Sequence, residues 1–150
     1  MALEIERKFL VKDDSYKAMA YSASRIAQGY ICSSRGRTVR VRIRDEKGYL
    51  TIKGPSDSQG LGRYEWEKEI DVQEAKELMQ LCQGTIIDKT RWIIPAKEEG
   101  LKWEVDEFHD KHEGLTLAEI ELTSEEQEVE KPDFVGEDVT SDPRYYNANM

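Results

Sequence analysis

Charged residues in this chain recur in pairs two positions apart, and each pair carries one sign. Carboxylates pair at Glu4/Glu6, Glu65/Glu67, Glu104/Asp106 and Glu119/Glu121. Cations pair at Arg40/Arg42 and Lys89/Arg91, with Lys8 and Lys53 standing singly. On an extended strand this spacing puts both groups on one face, about 7 Å apart. Two such carboxylates repel unless a cation lies between them, and two such cations call for an anion. Together they suit a polyanion bound with a divalent metal. Guanidinium forks grip phosphate oxygens two at a time, and hard carboxylates hold an ion such as Mg2+ while the substrate supplies further ligands.

The same alternation would coat the outside of an ordinary antiparallel sheet, and pattern alone leaves both readings open. A solvated face gains from mixed signs, because opposite cross-strand pairs contribute ~0.2–1 kcal/mol and like neighbours repel. The apolar side tilts the balance. Trp66, Trp92 and Trp103, with Val, Ile and Leu, are expected to form a core against the helices, turning the charged face inward across a closed sheet. Other motifs are weaker. His109 and His112 read as a solvated turn, since Glu113-Gly114 ends the stretch. Gly60-Leu61-Gly62 lacks the third glycine and following helix of a nucleotide-binding fingerprint, and there is no Walker loop. Neither a nucleophile elbow nor a Ser–His–Asp or Cys–His arrangement occurs. Chemistry here is expected to be metal-assisted.

Holding these charges requires a rigid set of strands. The 150 residues read as one domain over 1–150, and 35% are charged against a usual ~25%, so charge must coat the outside or line an interior. A net charge of −9 argues against general binding to nucleic acid or anionic membranes. Only Cys32 and Cys82 are present, without CxxC spacing, and neither a secretory signal nor a membrane-length apolar run is found. A cytoplasmic protein is expected.

The chain opens with an alternating strand over 3–11, followed by a short helix within 13–23 capped by Asp13 or Asp14. A strand over 24–32 has Gly29 at a bulge or close approach. An alternating strand over 37–44 turns through 46–48 into 49–53, a polar glycine loop spans 54–62, and a strand follows over 63–71. The clearest helix spans 72–82, with Ala75, Leu78, Met79 and Cys82 on one face, Asp71 as N-cap and Gly84 beyond its end. Strands are expected over 85–95, 101–108 and 115–123, then acidic turns over 124–138 and a short final helix starting at Asp142. This pattern indicates α+β with a large antiparallel sheet, and eight strands can close around a small interior.

Glu4-Ile5-Glu6-Arg7-Lys8 resembles the ExExK signature of the CYTH, or triphosphate tunnel metalloenzyme, superfamily. Further blocks are similar to its small bacterial members in the same order. They are Thr38–Arg42, Leu50–Lys53, Tyr64–Glu67, Lys89–Arg91, Trp103–Asp106, Ala118–Leu122 and the tail Val139–Asn147. The resemblance runs the full chain and implies a closed eight-stranded antiparallel β-barrel with a few flanking helices. It implies that Lys8, Arg40, Arg42, Lys53, Lys89 and Arg91 bind and act on phosphate oxygens, and that Arg144 reaches the substrate from the final helix. Glu4, Glu6, Asp106, Glu119 and Glu121 would face Mg2+ or Mn2+, directly or through water, while Glu65, Glu67 and Glu104 line the interior without a defined role.

The activity this resemblance favours is hydrolysis of inorganic triphosphate, with some action on nucleoside triphosphates. A class IV-type adenylate cyclase would need base and ribose recognition that the sequence does not display. A thiamine triphosphatase would need an aromatic at the tunnel mouth, a place that sequence does not assign to Tyr30 or Trp66. A non-catalytic binder of polyphosphate or nucleotide would not need so many metal-facing acids. The expected partner is a small triphosphate-containing substrate, with no nucleic acid or membrane, and a homodimer is allowed for.

Overall fold

The structure, a computed structural model, describes residues 3–55 and 62–150. Strand β1 (Leu3–Val11) leads through a short helix, α1 (Tyr16–Met19), to β2 (Ser22–Ser34), β3 (Arg37–Arg44), β4 (Lys47–Lys53) and β5 (Gly62–Ile70). Helix α2 (Val72–Met79) then precedes β6 (Gln83–Pro95), β7 (Lys102–Phe108), β8 (Thr116–Glu121) and β9 (Val135–Asp138). The strands run β5-β4-β3-β2-β6-β7-β8-β1-β9, and β1 also pairs with β5. That last pairing, Leu3–Ile5 against Gly62–Tyr64, closes β1 to β8 into an antiparallel barrel. Along its other edge β1 pairs with β8, and β9 continues the β5 edge beside Phe9–Val11.

Side chains alternate across each strand, so closure sorts them into two environments. Outside, Ile5, Phe9, Ile94, Trp103, Val105, Ala118 and Ile120 form a core covered by Tyr16, Leu122, Phe134 and Val135. The rings of Phe9 and Phe134 meet Trp103 edge-on, at 5.6 and 6.4 Å between centroids. Inside, Ile87, Phe108 and Leu117 lie two residues along from Lys89, Asp106 and Glu119, and with Val139 they fill one end of the barrel. The outer core and this apolar end leave a charged band between them.

Helix α2 packs on the outer face of β2, β3 and β4, and the Asp71 carboxylate caps it by accepting from the Gln73 N–H at 2.8 Å. Ala75, on its apolar face, is fully buried. It sits so close that a Cβ added to Gly48 would lie 2.6 Å from the Ala75 Cβ. Gly48→Ala is therefore expected to destabilise the fold by about 1–3 kcal/mol, read as a lower urea midpoint at unchanged slope. Gly29 is also a close approach: an added Cβ would meet Ile86 and Cys82 at 2.6 and 2.9 Å, beside a register shift in β2.

Several expectations change. Helix α1 is one turn rather than most of 13–23, its N-cap position is Ser15, and Asp13 instead accepts from the Ser15 N–H and hydroxyl. Helix α2 ends at Met79, so Cys82 lies beyond it and Gly84 belongs to β6. The acidic stretch contains β9, whose pairing with β1 is non-local. The final helix is two short 3-10 turns, Pro143–Tyr145 and Asn147–Asn149. Trp103 is fully buried, but Trp66 is 40% exposed on the outer face of β5. The loop expected over 54–62 lies outside the described residues at 56–61. Among the described residues, no helix is long and apolar enough to cross a membrane.

Candidate active site

The registers set the barrel's charges against one another. Lys8 faces Glu119 across β1 and β8, with Nζ 3.4 Å from the carboxylate. Lys53 reaches Glu4 at 2.9 Å and Glu65 at 3.3 Å. Arg40 lies 3.6 Å from Glu67, with the Thr51 hydroxyl between them: Arg40 donates to it at 3.2 Å and it donates to Glu67 at 2.7 Å. Asp106 is gripped by both β6 cations. Arg91 donates to its two oxygens at 2.8 Å each, Lys89 at 2.6 Å, and Arg91 also contacts Glu104 at 3.3 Å.

Two groups stand apart. Among the described residues, Arg42 has no carboxylate within ion-pair distance; its Nε donates instead to the Gln28 amide at 2.8 Å. Burial, then the like charges of Arg40 and Arg91, lower its pKa to about 9, so it remains a cation at neutral pH. Glu6 is the counterpart among the acids. It makes no ion pair among the described residues, and burial, then the Glu119 and Glu4 carboxylates, push its pKa well above 4.5. By contrast, burial opposes ionisation of Glu119, yet Lys8 beside it helps draw it down to about 2.

These groups border a cavity of about 330 Å³ lined by Glu6, Lys8, Arg40, Arg42, Lys53, Lys89, Arg91 and Glu119. Exposed Ser33 near the end of β2, Arg35 and Gly36 in the β2–β3 turn, and Asn149 mark where it meets solvent. Glu4 lies just behind it, beside Lys53, and Glu121 is exposed at the end of β8. Asp106 is not in the wall: it is 2% exposed and sits behind Lys89 and Arg91. Arg144 is also elsewhere, on the surface, paired with Asp142 at 2.6 Å. From the same tail, Thr140, Tyr146, Asn147 and Ala148 line the cavity instead. The Tyr145 carbonyl accepts from Lys8 Nζ at 2.8 Å, and Asn147 Oδ1 accepts from Lys89 at 3.0 Å.

Sequence reading missed these uncharged groups. Thr51 was within reach, because it shares a strand face with Lys53; Gln28 and Asn147 stand alone in their segments and give no pattern. Tyr30 lines the cavity, whereas Trp66 does not. His109 bonds the Thr90 hydroxyl at 2.7 Å and His112 the Met150 carbonyl at 3.2 Å, both away from the charged band.

A family model described as the CYTH domain matches residues 2–146. The chain belongs to the CYTH domain family. It is 47% identical to an inorganic triphosphatase of Acetivibrio thermocellus, covering 100% of this chain and 94% of the relative. An inorganic triphosphatase of Nitrosomonas europaea is 33% identical, over 98% and 95%. A crystal structure of an inorganic triphosphatase superposes with a TM-score of 0.65 at 31% identity, covering 99% of this chain and 94% of that one.

The CYTH family implies dependence on a divalent metal, and the donor set of this member fits one. No three acids among the described residues form a ready cage. A hard ion that keeps waters and shares phosphate oxygens needs only one or two carboxylates. Glu6, crowded by Glu119 and Glu4 and with no cation at ion-pair distance among the described residues, offers such a ligand.

Proposed function

We propose that this CYTH protein hydrolyses inorganic triphosphate, releasing its terminal phosphate, with Mg2+ or Mn2+ as cofactor. The observation that carries this is one cavity in which, among the described residues, Arg42 has no carboxylate and Glu6 no cation at ion-pair distance, with Arg35 and Arg63 as further cations in its wall. A polyanion with a divalent ion balances both.

Glu6 and Glu119, with Glu4 and Glu121 nearby, would hold the ion. When bound, it supplies charge neutralisation at phosphate and a more acidic water as nucleophile. Lys8, Arg40, Arg42, Lys53, Lys89 and Arg91 converge on the cavity and would grip the phosphate oxygens. Their charge opposes what builds on the equatorial and leaving oxygens, and phosphoryl transfer gains most from such positioning. Asp106 we assign to fixing Lys89 and Arg91, Glu67 to fixing Arg40 and Glu65 to fixing Lys53. Arg144 has no role in this scheme. The same reading keeps the chain as one domain acting on a small molecule in the cytoplasm.

The test is phosphate release by purified protein with Mg2+ or Mn2+, offered tripolyphosphate, ATP and thiamine triphosphate separately. Release fastest from tripolyphosphate is expected. Cyclic AMP formed from ATP, or binding without turnover, would sink the proposal.

A further inference from the structure

Gln28 is fully buried inside the barrel, where an amide is costly unless its donors and acceptor are met. Its Oε1 accepts from Arg42 Nε at 2.8 Å, and its Nε2 donates to Asn147 Oδ1 at 2.9 Å. Lys89 donates to that same Asn147 oxygen at 3.0 Å. Guanidinium and ammonium groups only donate, so the polarity of this chain is fixed from both ends. Neither amide can turn over without setting donor against donor.

We propose that Gln28 is a positioning residue that aims the Arg42 guanidinium at the substrate while leaving its charge uncompensated. The five other cations that the registers set across the strands are held by acids: Lys8 by Glu119, Arg40 by Glu67, Lys53 by Glu4, and Lys89 and Arg91 by Asp106, while Arg63 at the same cavity donates to the Gly54 and Gly36 carbonyls. A carboxylate at position 28 would fill the same space and bind Arg42 more strongly, because both partners would be charged. It would also cancel the charge a phosphate needs and turn an acceptor against the Asn147 oxygen. The neutral amide supplies the geometry without the neutralisation. Repulsion from Arg40 and Arg91 is then left for the substrate to relieve. This role rests on the triphosphatase reading above.

The experiment compares Gln28→Glu with Gln28→Met, using tripolyphosphate kinetics, calorimetric titration with tripolyphosphate, and thermal melts. Asn147→Ala, which cuts the chain beyond the amide, separates loss of the tail contact from gain of charge. Gln28→Glu is expected to melt at or above the wild-type temperature yet raise KM about tenfold or more. Gln28→Met keeps the charge but frees the guanidinium, so its loss falls mainly on kcat, and Asn147→Ala leaves KM closer to wild type than Gln28→Glu does. A merely structural amide predicts the reverse order, with near-isosteric Glu tolerated and Met worst. That order, a wild-type KM in Gln28→Glu, or its failure to fold overturns the proposal. A wild type that neither binds nor hydrolyses tripolyphosphate instead overturns the reading beneath it.

Discussion

Glu6→Gln is expected to cut triphosphate turnover by about a hundredfold or more while making the metal-free protein more heat-stable at neutral pH. The two effects have one cause. Glu6 shares its space with the Glu119 and Glu4 carboxylates, and burial and these neighbours raise its pKa well above the ordinary 4.5. The folded state therefore holds the Glu6 proton more tightly than the unfolded chain does. As pH rises above 4.5 the unfolded chain ionises first, so stability falls until pH passes the folded pKa, and the loss persists above it. Glutamine keeps the shape, cannot ionise and removes that loss, but it is a poor ligand for a hard cation. Thermal melts from pH 4 to 8, with and without Mg2+, together with turnover assays, read both effects. Wild type should gain stability on adding Mg2+ and the variant should not. A variant that is less stable, or that keeps near-normal turnover, counts against Glu6 as a metal-facing acid.

The alternation that makes Glu6 legible also explains what was not. Closure of the barrel follows from strands whose charged and apolar faces are cleanly separated, as in Arg37–Arg44, where Val39, Val41 and Ile43 oppose Arg40 and Arg42. Strand β9 has no such signature. Four residues, Val135-Gly136-Glu137-Asp138, become a strand only because β1 offers a free edge beyond β5. The tail is a different case. Arg144 has the right charge for a phosphate contact, but Asp142 caps the turn by accepting from the Arg144 N–H and holds the guanidinium outward. The residues that do face inward, Asn147 above all, are uncharged, and their direction is set by contacts with Gln28 and Lys89 on strands over fifty residues away. Asp106 is the subtlest case. Its spacing with Glu104 is that of a metal-facing pair, and only the β6–β7 register, which sets it opposite Arg91, shows how fully its oxygens are engaged.

That engagement predicts a large stability loss when the acid is removed. Asp106→Leu strips the shared acid from Lys89 and Arg91, which are 1% and 7% exposed, leaving Lys89 without a carboxylate and Arg91 with Glu104 alone. Breaking a buried pair in this way costs about 3–5 kcal/mol. At roughly 2–4 °C per kcal/mol for a chain of this size, the unfolding temperature should fall by about 6–20 °C. Burial alone would favour the protonated acid, but Arg91 and Lys89 overcome it and hold the Asp106 pKa far below 3.8. Its contribution is therefore complete above pH 3.8 and is lost only as pH falls below that value toward the folded pKa. Asp106→Asn should flatten that acid limb of the stability curve. Burial already lowers the Lys89 pKa to about 7 beside Asp106, so adding Lys89→Met to Asp106→Leu should recover part of the loss by removing an unpartnered buried amine, and a double-mutant cycle measures how much. Asp106→Asn also decides between two roles for this acid. If it holds Lys89 and Arg91, the variant is destabilised but still gains stability from Mg2+, unlike Glu6→Gln. If it is a metal ligand, that gain disappears in both.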